Sequence, residues 1–243
     1  MRLLLFADGQ VGHEIANWLM ENYSADLEMI VTTGSNEITL RARELSIPCC
    51  VYASDEQLCE LLGHKPFDLG VLAWWPKIIS GRIINLPSNG FINTHPSLLP
   101  YNRGKHYNFW ALVEQAPFGV SLHFVDEGVD NGDLIAQSAI SYDWEDSGKT
   151  LYEKACQQMV CLFRESYPSM RQLRFDRRKQ NLEAGSFHKA NELEAASRID
   201  LERPYTARQL LNLMRARTFA GHPGCWFDDE GSTYEVRVQI TRK

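Results

Sequence analysis

Asn93 and His95 alternate with apolar neighbours in the run Phe91-Ile92-Asn93-Thr94-His95, which stops at Pro96. On an extended backbone that alternation sends both side chains to one face. Pro96 keeps His95 out of the helical region, so the strand ends there instead of rolling into a helix. A carboxamide can donate a hydrogen bond to a developing oxyanion, and an imidazole can do the same or move a proton. Side by side at the carboxyl end of a strand, the two could form a reaction centre, or they could simply satisfy backbone groups there. About twenty-five residues on, Gly119 to Val125 predicts another strand. It runs into Asp126-Glu127-Gly128-Val129-Asp130-Asn131-Gly132-Asp133, a loop too rich in Gly and Asp to be helix or strand.

Stepping along the chain gives the elements that must position these groups. Arg2 to Ala7 is a continuous apolar run, as in a strand covered on both faces. Asp8-Gly9-Gln10 reads as a turn, and Val11 to Met20 has helical spacing at Val11, Ile15 and Leu19. Gly9 and Gly12 do not complete the Gly-x-Gly-x-x-Gly dinucleotide pattern. Further strands are predicted at Leu27–Thr32, Ile47–Tyr52 and Phe67–Trp74, with helices at Glu37–Leu45 and Asp55–Leu62, Ser54 capping the latter. Alternating strands and helices call for an α/β, Rossmann-like architecture: a mostly parallel sheet with helices on both faces. Asn93 and His95 then close the fifth strand, at the edge where such sheets bind ligands.

Lys105 to Gln115 predicts a helix. A long helix follows from Ser147, with Leu151, Tyr152, Ala155, Met159, Leu162 and Phe163 on one stripe. Arg174 to His188 is polar without periodicity and reads as a surface loop or linker. The tail predicts a helix over Thr206–Arg217, capped by Thr206, and a hairpin whose strands flank Asp228–Gly231. These divide the chain into residues 1–185, carrying the Rossmann-like fold, and a short C-terminal helix-and-hairpin region, 186–243.

A chain of 243 residues can bury one good core and a small appendage. A formal charge of −6 argues against a nucleic-acid partner, which needs concentrated Lys and Arg. No apolar run approaches the ~20 residues of a membrane span, so no membrane partner is expected. Met1–Phe6 is too short for a signal peptide, and a cytoplasmic protein is expected. The six cysteines contain no Cys-x-x-Cys and no short-spaced ligand pair, so reduced thiols and no metal are expected.

The span Asn93–Gln137 resembles the folate-dependent formyltransferases. It carries Asn93-x-His95, Ser97-Leu98-Leu99-Pro100, Arg103-Gly104 and, after a helix and a strand, Asp130-Asn131-Gly132. The tail's Ile199-Asp200, its helix ending in Arg215-Ala216-Arg217-Thr218, and Pro223-Gly224 before an aromatic run are similar to the same family. The resemblance implies formyl transfer from 10-formyltetrahydrofolate to an amine, with no metal. In that chemistry Asn93 would stabilise the oxyanion and His95 would do so or handle protons. Asp130 would take the amine's proton through a water or orient the imidazole. The family's pterin pocket maps onto Trp75, Lys77, Ile78 and Ile79 on one wall, and onto Asp126, Glu127, Gly128, Val129 and Asp130 on the other. Tyr101, Arg103 and Tyr107 are candidate contacts to the acceptor.

Within the family, methionyl-tRNA formyltransferases carry a basic insertion after the second strand, where this chain has only Thr33–Asn36. Glycinamide-ribonucleotide enzymes use a Gly-Asn-Gly-Ser-like loop where this chain has Asp8-Gly9-Gln10-Val11. The short C-terminal region and Tyr101–Gly104 look most like the sugar N-formyltransferases. These act on a nucleotide-linked, dTDP-type amino-deoxysugar for O-antigen or other surface glycans. A hydrolase releasing formate from the same folate is the other alternative. A homodimer through the Trp226-Phe227 hairpin is the expected assembly.

Overall fold

The computed structural model describes all 243 residues, Met1–Lys243. In chain order the elements are β1 (Leu3–Ala7), α1 (Gly9–Asn22), β2 (Leu27–Thr32), α2 (Glu37–Glu44), β3 (Cys49–Val51), α3 (Asp55–Leu62) and β4 (Leu69–Ala73). Then come α4 (Gly81–Ile84), β5 (Phe91–His95), β6 (Arg103–Gly104), α5 (Tyr107–Glu114), β7 (Gly119–Phe124), β8 (Leu134–Ala139) and α6 (Gly148–Arg171). The chain finishes with β9 (Phe187–His188), α7 (Glu192–Ala196), α8 (Ala207–Arg217), β10 (Cys225–Asp229) and β11 (Ser232–Val236). The expected α/β class holds: seven strands form one sheet in the order β3-β2-β1-β4-β5-β7-β8. Its β1–β5 neighbours pair in parallel, and β7 joins β5 antiparallel. Two compact units are delimited. The first is Met1–His95, Ser121–Gln137 and Met159–Gln180; the second is Pro96–Val120, Ser138–Gln158 and Asn181–Lys243.

In the first unit, β1 and β4 are buried along their whole length, which is why they read as unbroken apolar runs. α1 starts two residues before the predicted helix, because the Asp8 carboxylate accepts from the Gly9 N–H at 2.7 Å and caps it. Gly12 lets α1 lie close on the sheet; a Cβ there would meet the Ala73 carbonyl oxygen at 2.7 Å. Asn36 and Thr39 form a capping box on α2, and Ser54 caps α3 as expected. β3 is shorter than predicted, three residues paired only with β2 at the sheet edge. Leu4, Phe6, Val31, Leu72, Ile79 and Phe91 belong to one buried cluster. At the far end of α6, Tyr167 and Arg171 hold Asp26, which the chain's own N-terminal amine also approaches at 3.5 Å.

In the second unit, β6 pairs with β9 and the hairpin β10–β11 closes on the two-residue turn Glu230-Gly231. The turn is tighter than the four-residue one predicted, because Gly231 adopts φ +79°. His188 of β9 stacks on Trp110 at 3.8 Å and bridges Glu114 and Glu192 at 2.8 and 3.3 Å. Thr206 caps α8 through a capping box with Gln209. Arg215 of α8 binds the carbonyls of Asp143 and Asp146, fastening that helix to the turn before α6.

The segment Arg174–His188 is mostly exposed and irregular, as expected of a surface loop, but it is tied down at two places. Within the first unit Arg178 bridges Leu134, and within the second Phe187-His188 forms β9. No helix is long and apolar enough to cross a membrane, and all six cysteines are free thiols.

Candidate active site

The antiparallel register of β5 and β7 sets Asn93 directly opposite His123, and His95 opposite Ser121. Residues so paired share a face, so the amide and both imidazoles project together. The Asn93 Nδ2 lies 3.3 Å from His123 Nε2. The His123 Nδ1 lies 2.8 Å from the Phe124 carbonyl oxygen, which can only accept, so Nδ1 carries the proton. Nε2 is then the acceptor, and it turns the Asn93 amide so that its NH₂ rather than its oxygen faces the ring. One N–H of Asn93 is used there, leaving the second as a donor for a substrate oxygen.

Asp130 completes the group. Its Oδ1 stands 3.4 Å from His95 Nδ1 and 3.6 Å from His123 Nε2. His95 is 5 % exposed and His123 2 %, so the Asp130 carboxylate faces both rings with little water between them. A carboxylate beside Nδ1 favours the Nδ1–H tautomer of His95, which makes Nε2 its proton-exchanging nitrogen. The three donor atoms lie within 4.8 Å of one another, a grouping that could also hold a cation and that chain spacing conceals.

The loop holding Asp130 is built locally. Asp130 adopts φ +54°, a left-handed conformation that Asp tolerates better than most residues. Gln180 Nε2 donates to the carbonyls of Asp130 and Gly132 at 2.9 and 2.7 Å, clamping the loop from fifty positions away. Gly132 admits no side chain, since a Cβ would strike the Phe124 carbonyl oxygen. The Arg177 guanidinium lies 3.6 Å over the Phe124 ring, and Phe175 meets that ring edge-on. The second wall predicted for the pterin is exposed from Asp126 to Val129, with Gly128 N–H donating to Asp126 Oδ1 at 2.9 Å.

The first predicted wall leaves β4 at Trp74, which adopts φ +57°. Thr94 Oγ1 accepts from the Trp74 N–H at 2.8 Å and donates to the Leu72 carbonyl at 3.0 Å, tying the loop to β5. Trp75 packs edge-on against Phe6 and Tyr52, with its indole N–H buried and unpartnered. Lys77 sits over the Tyr52 ring at 4.8 Å. Tyr52 donates to Asp55 at 2.7 Å, and that bond, with burial, pushes its phenol up to about 12. Asp55 also accepts from the Ser80 N–H, fixing the loop's far end. Ile78 is 91 % exposed, whereas Ile79 is 5 % exposed and part of the core.

Tyr101, Arg103 and Tyr107 lie in the second unit. The Tyr101 N–H donates to Leu98, and the Arg103 N–H donates to Ser186, within the β6–β9 pairing. Tyr107 opens α5 with its ring stacked on Phe118, and burial holds its phenol well above the usual range. His123 and Gln180 are the two residues of this site that reading the sequence missed. Alternation from Leu122 to Phe124 would have put His123 on a definite face, but only the β5–β7 register shows whose face that is. Nothing in the polar stretch around Gln180 signals its target.

A family model described as formyl transferase matches residues 49–164, and one described as N-formyltransferase dimerization C-terminal domain matches 192–242. A methionyl-tRNA formyltransferase from Caldanaerobacter subterraneus subsp. tengcongensis is 28% identical over 190 residues, 78% of this chain and 60% of that protein. A dTDP-4-amino-4,6-dideoxyglucose formyltransferase from Mycobacterium bovis is 28% identical over 150 residues, 61% of this chain and 64% of that one. The chain thus spans less than two thirds of the length of these curated relatives. Among solved structures, a 4-N formyltransferase from Francisella tularensis superposes with a TM-score of 0.81 at 22% identity, covering 100% of this chain and 98% of that one. The formyltransferase PseJ from Anoxybacillus kamchatkensis, solved with UDP-4,6-dideoxy-4-formamido-L-AltNAc and tetrahydrofolate, does so with 0.58 at 26%, covering 80% and 89%. At these identities the Francisella likeness speaks for the fold alone. The chain is thus similar to formyl transferases over residues 49–164 and to the N-formyltransferase C-terminal dimerization domain over 192–242.

Proposed function

We propose that the protein moves the formyl group of 10-formyltetrahydrofolate to the amine of a nucleotide-linked, dTDP-type amino-deoxysugar. The observation that carries this reading is the convergence of Asn93, His95 and Asp130 on one face of the sheet, with Asp130 Oδ1 3.4 Å from His95 Nδ1. The amine attacks the formyl carbon, and the carbonyl oxygen gathers negative charge. Asn93 donates to that oxygen through its second N–H, and His95 does so from Nε2 once a proton has reached that nitrogen. The amine sheds its proton to Asp130, through a water or through His95, and that proton returns to the tetrahydrofolate nitrogen as its bond to the formyl carbon breaks.

Folate fits the loops flanking this centre. Trp75 offers a buried indole N–H in need of an acceptor, and Ile78 and Val129 present exposed apolar groups on the two loops. Lys77, Ile79, Asp126, Glu127 and Gly128 complete the proposed pterin contacts. Tyr101, Arg103 and Tyr107 are proposed contacts to the acceptor. Residues 1–185 carry the chemistry and 186–243 the assembly of a homodimer, a division that falls between the two family matches. A cytoplasmic enzyme supplying O-antigen or another surface glycan is the matching cellular role. The net charge of −6 and the short Thr33–Asn36 connection favour a sugar acceptor over a transfer RNA.

The test incubates the protein with 10-formyltetrahydrofolate and a panel of amino-sugar nucleotides, following product mass. Formylated sugar nucleotide is expected, with turnover falling by about 10²-fold or more in Asn93→Ala, His95→Asn and Asp130→Asn. Formate release without any acceptor would replace this reading with the hydrolase. Formylation of charged methionyl-tRNA alone would replace it with the transfer-RNA enzyme.

A further inference from the structure

His95, His123 and Asp130 are the one place in the chain where three metal-ligating side chains converge, their ligand atoms all within 4.8 Å of one another. Asp130 Oδ1 stands 3.4 Å from His95 Nδ1 and 3.6 Å from His123 Nε2. A tetrahedral zinc ion holds nitrogen and oxygen ligands at about 2.0–2.2 Å, which sets those atoms ~3.4 Å apart. Two of the three edges of such a site are therefore already at length, and the third needs only the two imidazoles to lean together.

The surroundings are those of a metal ligand set. His123 Nδ1 donates to the Phe124 carbonyl at 2.8 Å, the outer contact that fixes the tautomer of a metal-bound histidine and presents its Nε2 lone pair. Gln180 clamps the carbonyls of Asp130 and Gly132, so the carboxylate is positioned before any ion arrives. Asn93 and Asp130 are half-buried, which leaves a way in. Other histidine–carboxylate contacts lack this convergence. His13 meets one carboxylate, Glu37, at 3.2 Å, and His188 faces Glu114 and Glu192 with opposite ring nitrogens.

We propose that His95, His123 and Asp130 bind Zn²⁺ and that the ion switches the centre off. Two imidazoles and a carboxylate suit zinc and leave a fourth position for water, whereas Mg²⁺ prefers oxygen ligands. Ligation uses the His95 Nδ1 lone pair, so the proton there passes to Nε2 and the ring binds neutral as waters leave the ion. The ion takes His123 Nε2 away from the Asn93 amide, and it takes the Asp130 carboxylate away from accepting a proton. The inhibition rests on the formyl-transfer reading given above; the binding does not.

The experiment is calorimetric titration of Zn²⁺ into chelator-treated full-length protein, as wild type and as His123→Leu, Asp130→Asn and His13→Gln. Co²⁺ serves as the visible-absorption probe of tetrahedral ligation and Mg²⁺ as the control. One bound equivalent is expected in the wild type and in His13→Gln, with affinity at least ~10-fold weaker in the two ligand variants. Asn tolerates the left-handed backbone of position 130, so Asp130→Asn keeps its fold even if His123→Leu does not. Formyl transfer should fall to background as zinc fills the site, return with EDTA, and ignore Mg²⁺. Unchanged zinc affinity in Asp130→Asn, or loss of the bound equivalent in His13→Gln, would overturn the site. Full transfer activity in the zinc-loaded protein would overturn the switch. Zinc binding with the expected variant pattern, in a protein that transfers no formyl group even when metal-free, would sink the transferase reading and leave the metal site standing.

Discussion

His123→Leu separates the work of orienting Asn93 from the work of Asn93 itself. Leucine fills much of the imidazole's volume at a site 2 % exposed but offers no acceptor to Asn93 Nδ2. The bond removed is a neutral one at 3.3 Å, worth roughly 1 kcal/mol. Converted through 1.36 kcal/mol per decade, the amide loses about fivefold in its preference for the productive orientation. Turnover should therefore fall about fivefold, against about 10²–10³ for removing the oxyanion donor in Asn93→Ala. KM for the folate should hold, because the loops from Trp74 to Ser80 and from Asp126 to Val129 are untouched. The Phe124 carbonyl also loses its 2.8 Å partner, which lowers the melting temperature by a few degrees. His123→Gln restores an acceptor and should recover most of the rate. Steady-state formyl transfer and thermal unfolding on the three variants decide the matter. Wild-type turnover in His123→Leu, or a loss as large as that of Asn93→Ala, would refute the orientation argument.

Gly132→Ala should force the Asp130 loop away from the Phe124 carbonyl and cut turnover by ~10²-fold with little change in melting temperature; a fully active variant would show that the loop's placement is uncritical. Asp146 is pushed up by burial, yet bonds from Lys154, Asp143 and Thr150 bring it below its usual value. The stability it adds is therefore present above pH about 4 and lost as pH falls through the depressed folded value. Asp146→Asn should melt roughly 3–10 °C below wild type at pH 7, the gap closing in acid; a gap constant with pH would contradict this. Burial pushes the Cys225 thiol up to about 12, whereas Cys161 is exposed. Iodoacetamide should modify Cys161 in the native protein and Cys225 only after denaturation, as peptide mass mapping would show.

The α/β sheet was readable because β1 and β4 are covered on both faces and announce themselves as apolar runs. The site was half readable. Asn93 and His95 stand out against apolar neighbours, and Pro96 marks where their strand must stop. His123 does not stand out, since a single imidazole in a buried strand looks like any core histidine until its cross-strand partner is known. Gln180 was hidden for another reason: its two acceptors are backbone carbonyls, which leave no trace in residue type. The two-residue strands β6 and β9 are too short to show a period, so the polar stretch before β9 looked unattached.

The reversal of β7 against β5 also bears on how this protein can change over generations. With side chains alternating in direction, inserting or deleting one residue within β7 before His123 would rotate the imidazole to the underside of the sheet and bring an aliphatic group beneath Asn93. A two-residue change would keep the faces correct but place the wrong neighbour across from the amide. Length variation in this lineage should therefore collect in the connections around β7 and stay out of the strand, whatever freedom the surface loops enjoy.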